Sequence, residues 1–173
     1  MIKTNIPEFT LRAATETDTS LILSFIRDLA EYENLRHEVV ATEDVLRRNL
    51  FGEHQVAEVM LGYLRAEPVS FALFFHNFST FLGQPGLYLE DLYVKSEVRG
   101  RGIGTVMLAY LARLAVERNC GRFEWSVLDW NEPAIRVYRS IGAEGLDEWT
   151  VQRVTGEALA KLAQSFDDKH FLT

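Results

Sequence analysis

RGRGIG, Arg99 to Gly104, runs straight into TVMLAYLARLAVERN, Thr105 to Asn119, and the reading of this stretch decides the fold. Three glycines in six residues leave backbone N–H groups open to approach, with no Cβ atoms in the way. Ile103, Met107, Tyr110, Leu111 and Leu114 then recur at helical spacing, so the loop opens a helix. A helix N-terminus carries partial positive charge and unpaired donors, and a glycine loop in front of it suits an anion. The spacing is G-x-G-x-G and not the dinucleotide G-x-G-x-x-G, and the Lys and Ser/Thr of a nucleoside-triphosphate loop are missing. Two arginines in the loop favour a diphosphate, which they neutralise without a metal. The bland alternative is a surface turn before a tight helix start.

Upstream of the loop, LYLEDLYV (Leu87 to Val94) reads as a strand. Before it, QVAEVMLGYLR (55–65) and VSFALFFHNF (69–78) are rich in β-branched and aromatic residues. AEP (66–68) between them predicts a hairpin turn, and STFLGQPG (79–86) a second loop. Nearer the N-terminus, FTLRAAT (9–15) is a first strand, and Thr15 and Asp18 have capping-box spacing. Ile22, Phe25, Ile26 and Leu29 carry a helix to about Glu31, and EYENLRHEV (31–39) is a polar connection. Thr42 caps a second helix with Val45, Leu46 and Leu50, which Gly52 closes.

Downstream, RFEWSVL (122–128) is the next strand, and NEPAIRVYRSIGA (131–143) a short helix with Pro133 in its first turn and Gly142 at its end. EWTVQRV (148–154) predicts a late strand and GEALAKLAQSF (156–166) a terminal helix. Strands gather around one helical crossover, which implies a mixed α/β fold with both faces covered. At 173 residues the chain fits a single domain over 1–173.

Composition narrows the partners. A net charge of -7 argues against nucleic acid, which needs clustered Lys and Arg, and suits a cationic small molecule or basic peptide. Cys120 is the only cysteine, so no internal disulfide forms, and it reads as a half-buried filler at a helix end. His37, His54, His76 and His170 lack metal-ligand spacing. Neither a signal segment nor a bilayer-spanning apolar run is evident, so a cytoplasmic protein is expected. Glu90 and Asp91 stand inside an apolar strand, where burying a carboxylate costs free energy unless something compensates it. Period two sends them to opposite faces, so at most one faces any single pocket. A kinked strand with both carboxylates solvated or paired is the structural alternative.

VRGRGIG after an acidic strand, followed by a helix, a strand and WNEPAIRVYRSIGA, resembles the N-acetyltransferases of the GNAT superfamily. Arg99, Gly102 and Gly104 match that family's coenzyme A loop, Arg/Gln-x-x-Gly-x-Gly/Ala. The resemblance runs from LRAATETD to the late strand and is nearest to the diamine (spermidine/spermine) and thialysine branch. LAEYE, FGEH, LYLEDLYV, RGRGIG and WNEPAIRVYRSIGA occur there in the same order. It implies a central mixed, mostly antiparallel sheet with helices on both faces, acetyl-CoA as donor and no metal. It also implies a small primary amine (a polyamine, a diamine or a lysine-like amino acid) as acceptor, and a homodimer.

Residue by residue, the resemblance places the backbone of Leu92, Tyr93 and Val94 along the pantetheine arm. Arg99, Gly100, Arg101, Gly102, Ile103, Gly104 and Thr105 go to the pyrophosphate. The strand from Phe123 to Leu128 splays away, and Asn131, Glu132, Pro133 and Ala134 touch the coenzyme. Tyr32 and Glu33 fall beside the acceptor, as do Glu124, Trp125 and Ser126. Glu90 faces the amine and relays its proton; Tyr138 protonates the departing thiolate.

Three departures bear on the acceptor. Phe81 stands where polyamine enzymes carry a loop tryptophan. Leu128 and Asp129 replace an alanine and the acid after it. The last acceptor-side acid aligns with either Asp147 or Glu148. The rival functions are a protein lysine acetyltransferase, a non-catalytic coenzyme A sensor and a plain nucleotide-binding module. Retention of Glu90 and Tyr138 counts against the sensor, and the missing triphosphate-loop lysine against the module.

Overall fold

The computed structural model describes residues 1–166. His170 lies outside them. The chain divides into two compact units, Met1–Asn131 and Glu132–Thr173.

The first unit holds a six-stranded sheet in sequence order: β1 (Ile2–Lys3), β2 (Phe9–Ala13), β3 (Glu58–Leu64), β4 (Glu67–Ser79), β5 (Gln84–Val94) and β6 (Arg122–Trp125). Every neighbouring pair is antiparallel except β5 and β6, which run parallel. Parallel neighbours need a crossover. Here α3 (Ile103–Glu117) supplies it, and the glycine loop sits on the way. Helices α1 (Thr19–Tyr32) and α2 (Glu43–Phe51) fill the long connection between β2 and β3.

Alternation along β4 shows how both faces are used. Phe71, Leu73 and Phe75 pack with Ile22 and Phe25 of α1 and Leu50 of α2. Ala72 and Phe74 are buried on the opposite face, where the Arg118 guanidinium at the end of α3 lies over the Phe74 ring. Phe25 and Phe71 stack at 5.3 Å, nearly parallel. On α3 the buried residues are Ile103, Met107, Leu108, Leu111 and Ala115, so the predicted face is shifted toward Leu108, with Tyr110 and Leu114 at its margin.

Several boundaries differ from the sequence reading. The β3–β4 turn is Arg65–Ala66, both left-handed (φ 51° and 68°), while Glu67 and Pro68 already belong to β4. Pro68 is tolerated there because the register shifts beside it, between Gly62 and Tyr63. β5 begins at Gln84, three residues early. Gly86 makes this possible, since a Cβ there would lie 2.2 Å from Asn77 Oδ1. Before α1, Glu16–Asp18 forms a 3-10 turn. Asp18 accepts hydrogen bonds from the Thr15 N–H and from Arg12, which hold its carboxyl down at about 2. Thr42 caps α2 as expected, accepting from the Val45 N–H.

In the second unit α4 (Glu132–Ser140) ends in a Schellman motif around Gly142 (φ 88°). The Gly142 N–H donates to Arg139 C=O, and the Ala143 N–H to Tyr138 C=O. The terminal helix α5 (Gly156–Ser165) forms where expected. The late strand predicted over 148–154 does not form. Alternating side chains mark a segment that fits a sheet, but a strand exists only by pairing, and this segment has no ladder among the described residues.

Candidate active site

β5 is the spine of the site. Its parallel pairing with β6 runs from Gly86↔Arg122 to Leu89↔Trp125 and stops. β5 continues to Val94 with β4 alone beside it, through Asp91↔Leu73, Leu92↔Ala72, Tyr93↔Phe71 and Val94↔Ser70. Trp125 also ends β6, so the strand expected to reach Leu128 is shorter. Along Glu90–Val94 the backbone edge that β6 leaves is open to an extended chain.

The parting coincides with a register shift. Phe74 pairs with Leu89 and Leu73 with Asp91, so Glu90 is the extra residue of a β-bulge. A bulge breaks strict alternation, and the two acids end in different surroundings. Glu90 is exposed. Asp91 shares the α1 face with Leu73, and burial pushes its carboxyl up to about 6, helped by the charges of Glu90 and Glu33. The two acids of the strand thus differ in exposure, with Asp91 the more buried of the pair. Glu33 is half-buried and its pKa is raised by burial as well.

Glu33 is held by the way α1 ends. Asn34 is left-handed (φ 61°), its N–H donates to Glu31 C=O, and the Leu35 N–H donates to Ala30 C=O. That is a Schellman motif with asparagine in the glycine position. It extends α1 to Tyr32, one residue past the predicted end, and makes Glu33 the capping residue. The Tyr32 hydroxyl donates to Asn131 Oδ1 at 3.2 Å, and its ring meets Trp130 at 6.0 Å.

The glycine loop follows β5 directly. Gly100 and Gly102 are both left-handed (φ 77° and 79°). The Val106 N–H donates to Gly102 C=O, the first bond of α3, which leaves the N–H groups of Ile103, Gly104 and Thr105 without helical acceptors. A Cβ on Gly100 would meet no described atom within 4 Å. On Gly102 it would meet only Ile6 Cδ1 at 3.9 Å, and on Gly104 only Val94 Cγ2 at 3.8 Å. The space before the helix is thus open, and its exposed donors fit an anion such as a pyrophosphate.

The two arginines of the loop behave differently. Arg101 is exposed. Arg99 turns back toward the sheet: its Nε donates to Val94 C=O at 2.9 Å, and its guanidinium lies 4.3 Å from the Tyr32 ring and 5.4 Å from the Tyr93 ring. With Asp28, Glu31 and Ser96 these residues line a cavity of about 250 Å³.

On β6, Glu124 accepts from Asn77 Nδ2 and pairs with Arg122. Trp125 meets Phe123 at 4.8 Å, and the Ser126 and Tyr88 hydroxyls are 2.9 Å apart. Glu132, Pro133 and Ala134 form the first turn of α4 and Tyr138 its last, all in the second unit. Cys120 follows the end of α3, where its N–H donates to Ala115 C=O. No group of three or more His, Cys, Asp or Glu among the described residues is placed to hold a metal ion. Nor is any described helix long and apolar enough to cross a membrane.

A six-stranded, mostly antiparallel sheet that parts beside a glycine-opened helix defines a class, and comparison with known proteins gives the same class. Residues 23–143 match the model of the acetyltransferase (GNAT) family. Thialysine N-epsilon-acetyltransferase of Sus scrofa is 38% identical over 88% of this chain and 96% of its own. L-ornithine N5-acetyltransferase of Arabidopsis thaliana is 30% identical over 86% and 85%. Among solved structures, an integron cassette protein from Vibrio cholerae superposes with a TM-score of 0.77 at 27% identity, covering 91% of this chain and 98% of that one. The chain belongs to the acetyltransferase (GNAT) family and is an N-acetyltransferase.

Sequence reasoning missed Asp91 as the more buried of the two acids, Asn34 as the residue that ends α1, and the Arg122–Asn77 partnership around Glu124. Asn34 alone had a local signal, an asparagine just past a periodic helix.

Proposed function

We propose that the protein moves the acetyl group of acetyl-CoA onto the primary amine of a small cationic acceptor. The observation that carries this reading is Asp91, a half-buried carboxyl held at about 6 beside Glu33 and Glu90 where β5 parts from β6. Acetyltransferases of this family use acetyl-CoA as donor. The loop from Arg99 to Thr105 and the open edge of Leu92, Tyr93 and Val94 suit its pyrophosphate and its extended arm, and Asn131, Glu132, Pro133 and Ala134 are assigned to it by resemblance.

The acceptor arrives protonated, since an alkyl amine titrates near 10. Glu33 and Glu90 draw the cation, with Tyr32, Glu124, Trp125 and Ser126 around it. Asp91, ionised at neutral pH, first takes a proton from the bound ammonium and so frees the nitrogen lone pair for attack, the task of a base poised near working pH; the second proton leaves the nitrogen for solvent once the N–C bond has formed. Tyr138 gives its phenolic proton to the departing thiolate, the role of a general acid whose ordinary phenol pKa is near that of an alkyl thiol. Attack is direct, because Cys120 sits at the far end of α3 from the loop. We read residues 1–173 as one acetyltransferase domain, since the family match runs through both compact units. We expect a cytoplasmic homodimer, to which the exposed Phe78, Phe81 and Leu82 offer apolar surface.

An amine panel with acetyl-CoA tests the reading. Thiol release should be stoichiometric with acetylation of a terminal amine. Saturable acetyl-CoA binding with no amine acetylated would leave a sensor instead.

A further inference from the structure

Arg99 competes for the backbone edge that an extended chain beside β5 would use. The Lys95 N–H donates to Val69 C=O at 2.9 Å, and the ladder continues through Val94↔Ser70 and Tyr93↔Phe71. Antiparallel neighbours alternate between pairs that exchange hydrogen bonds and pairs that do not. Lys95 and Tyr93 therefore turn their backbone groups toward β4, while Leu92 and Val94 turn theirs to the edge that β6 leaves. A chain added along this end of β5 pairs with the N–H and C=O groups of those two residues. One of these groups is already engaged, since Arg99 Nε donates to Val94 C=O at 2.9 Å.

The hold on Arg99 is built for exchange. Its side chain is exposed, and its guanidinium lies 4.3 Å from the Tyr32 ring and 5.4 Å from the Tyr93 ring. Ring contacts of an exposed cation and one hydrogen bond to a neutral carbonyl are both small contributions. On the other side lies the glycine loop. A Cβ on Gly100 would meet no described atom within 4 Å, so the guanidinium has open space on the way to the N–H groups that begin α3. A role on the pyrophosphate alone does not account for the bond to Val94 C=O.

We infer that Arg99 is a positioning residue that changes partner as the donor binds. It caps Val94 C=O, the arm of the donor takes that carbonyl in its place, and the released guanidinium closes on the pyrophosphate. This rests on acetyl-CoA being the donor, as proposed above. The exchange couples the two halves of the donor. The arm displaces the cation that the pyrophosphate then collects, and by linkage each half tightens the other.

Calorimetry with two ligands tests the exchange: pantetheine, which has the arm and no pyrophosphate, and acetyl-CoA, which has both. Arg99→Met keeps the length of the side chain and removes every donor. It should bind pantetheine roughly 2- to 10-fold more tightly than wild type, the scale of one hydrogen bond, and acetyl-CoA more weakly. Unchanged pantetheine affinity with weaker acetyl-CoA would make Arg99 a plain phosphate ligand, and a loss of both would make it a brace of the loop. Either result would overturn the exchange, as would acetyl-CoA binding to a wild type and a variant that both ignore pantetheine. Wild type alone gives a second reading through the Nε–H resonance of Arg99, assigned by its loss in the variant. Saturating pantetheine should shift that resonance and speed its exchange with water; a resonance left in place would contradict the inference whatever the variant does. Failure of acetyl-CoA itself to bind wild type would defeat the donor reading and this inference with it.

Discussion

Asp91 carries its charge at a cost, and the cost sets two expectations. Its carboxyl titrates near 6 in the folded protein against an ordinary 3.8, first because it is buried and then because Glu90 and Glu33 face it. A raised folded pKa means that the folded state holds the proton more tightly, so the stability linked to Asp91 is full below about 4 and is lost as pH rises through about 6. Asp91→Asn should therefore raise the melting temperature at pH 7.5, by a stability gain on the order of 2 kcal/mol, with the advantage fading below pH 4. The same variant should lose most amine turnover, and the wild-type kcat/KM for the amine should rise through a limb near pH 6. Loss of activity without the pH-dependent gain in stability would place the proton acceptor elsewhere. At the donor side, Gly104 is the cleaner position to probe, because Gly100 and Gly102 need positive φ. Gly104→Val should keep the melting temperature and weaken acetyl-CoA binding at least 10-fold by calorimetry. Tyr138→Phe should leave acetyl-CoA binding unchanged and slow the chemical step about 10²–10⁴-fold, the usual worth of a positioned acid.

Elements put these residues where they act, and their ends matter more than their middles. Asn34 closes α1 in a left-handed conformation and fixes Glu33 behind it. Asn34→Gly should be tolerated, whereas Asn34→Val should cost about 1–2 kcal/mol in denaturant unfolding and raise KM for the amine. Equal stability of the two variants would show that the helix end does not depend on that conformation. Helices and strands with strong apolar periodicity were legible in the sequence: α1, α2, α3, the β3–β4 hairpin and the crossover all follow from local pattern. The bulge at Glu90 was not, because it is a mismatch between two strands and neither strand records it alone. Strict period two then assigned the two acids to faces without saying which is buried. The segment 148–154 failed for a related reason, since its alternation specifies a face but no pairing partner. The glycine loop was legible to the residue, because positive φ at Gly100 and Gly102 is a local demand.

At the scale of the whole molecule, charge and topology act together. A net charge of -7 surrounds a site lined by carboxylates, so a cationic acceptor is steered inward and salt should weaken it. KM for the amine should rise several-fold as the Debye length shrinks from about 30 Å at 0.01 M to about 8 Å at 0.15 M ionic strength. A salt-independent KM would remove long-range attraction from the account. Topology contributes the single parallel pair, whose early end at Leu89↔Trp125 leaves Leu92 to Val94 open beside the helix N-terminus. On the proposed reading, donor and acceptor meet on one strand. A single-turnover experiment tests that claim most directly: protein loaded with one equivalent of acetyl-CoA, mixed with L-lysine, quenched in time and followed by mass spectrometry. The account predicts acetyl on the terminal nitrogen of lysine, appearing as fast as free thiol, with the protein mass unchanged throughout. An acetylated protein that forms and then decays, or thiol release with no acetyl-lysine, would contradict it.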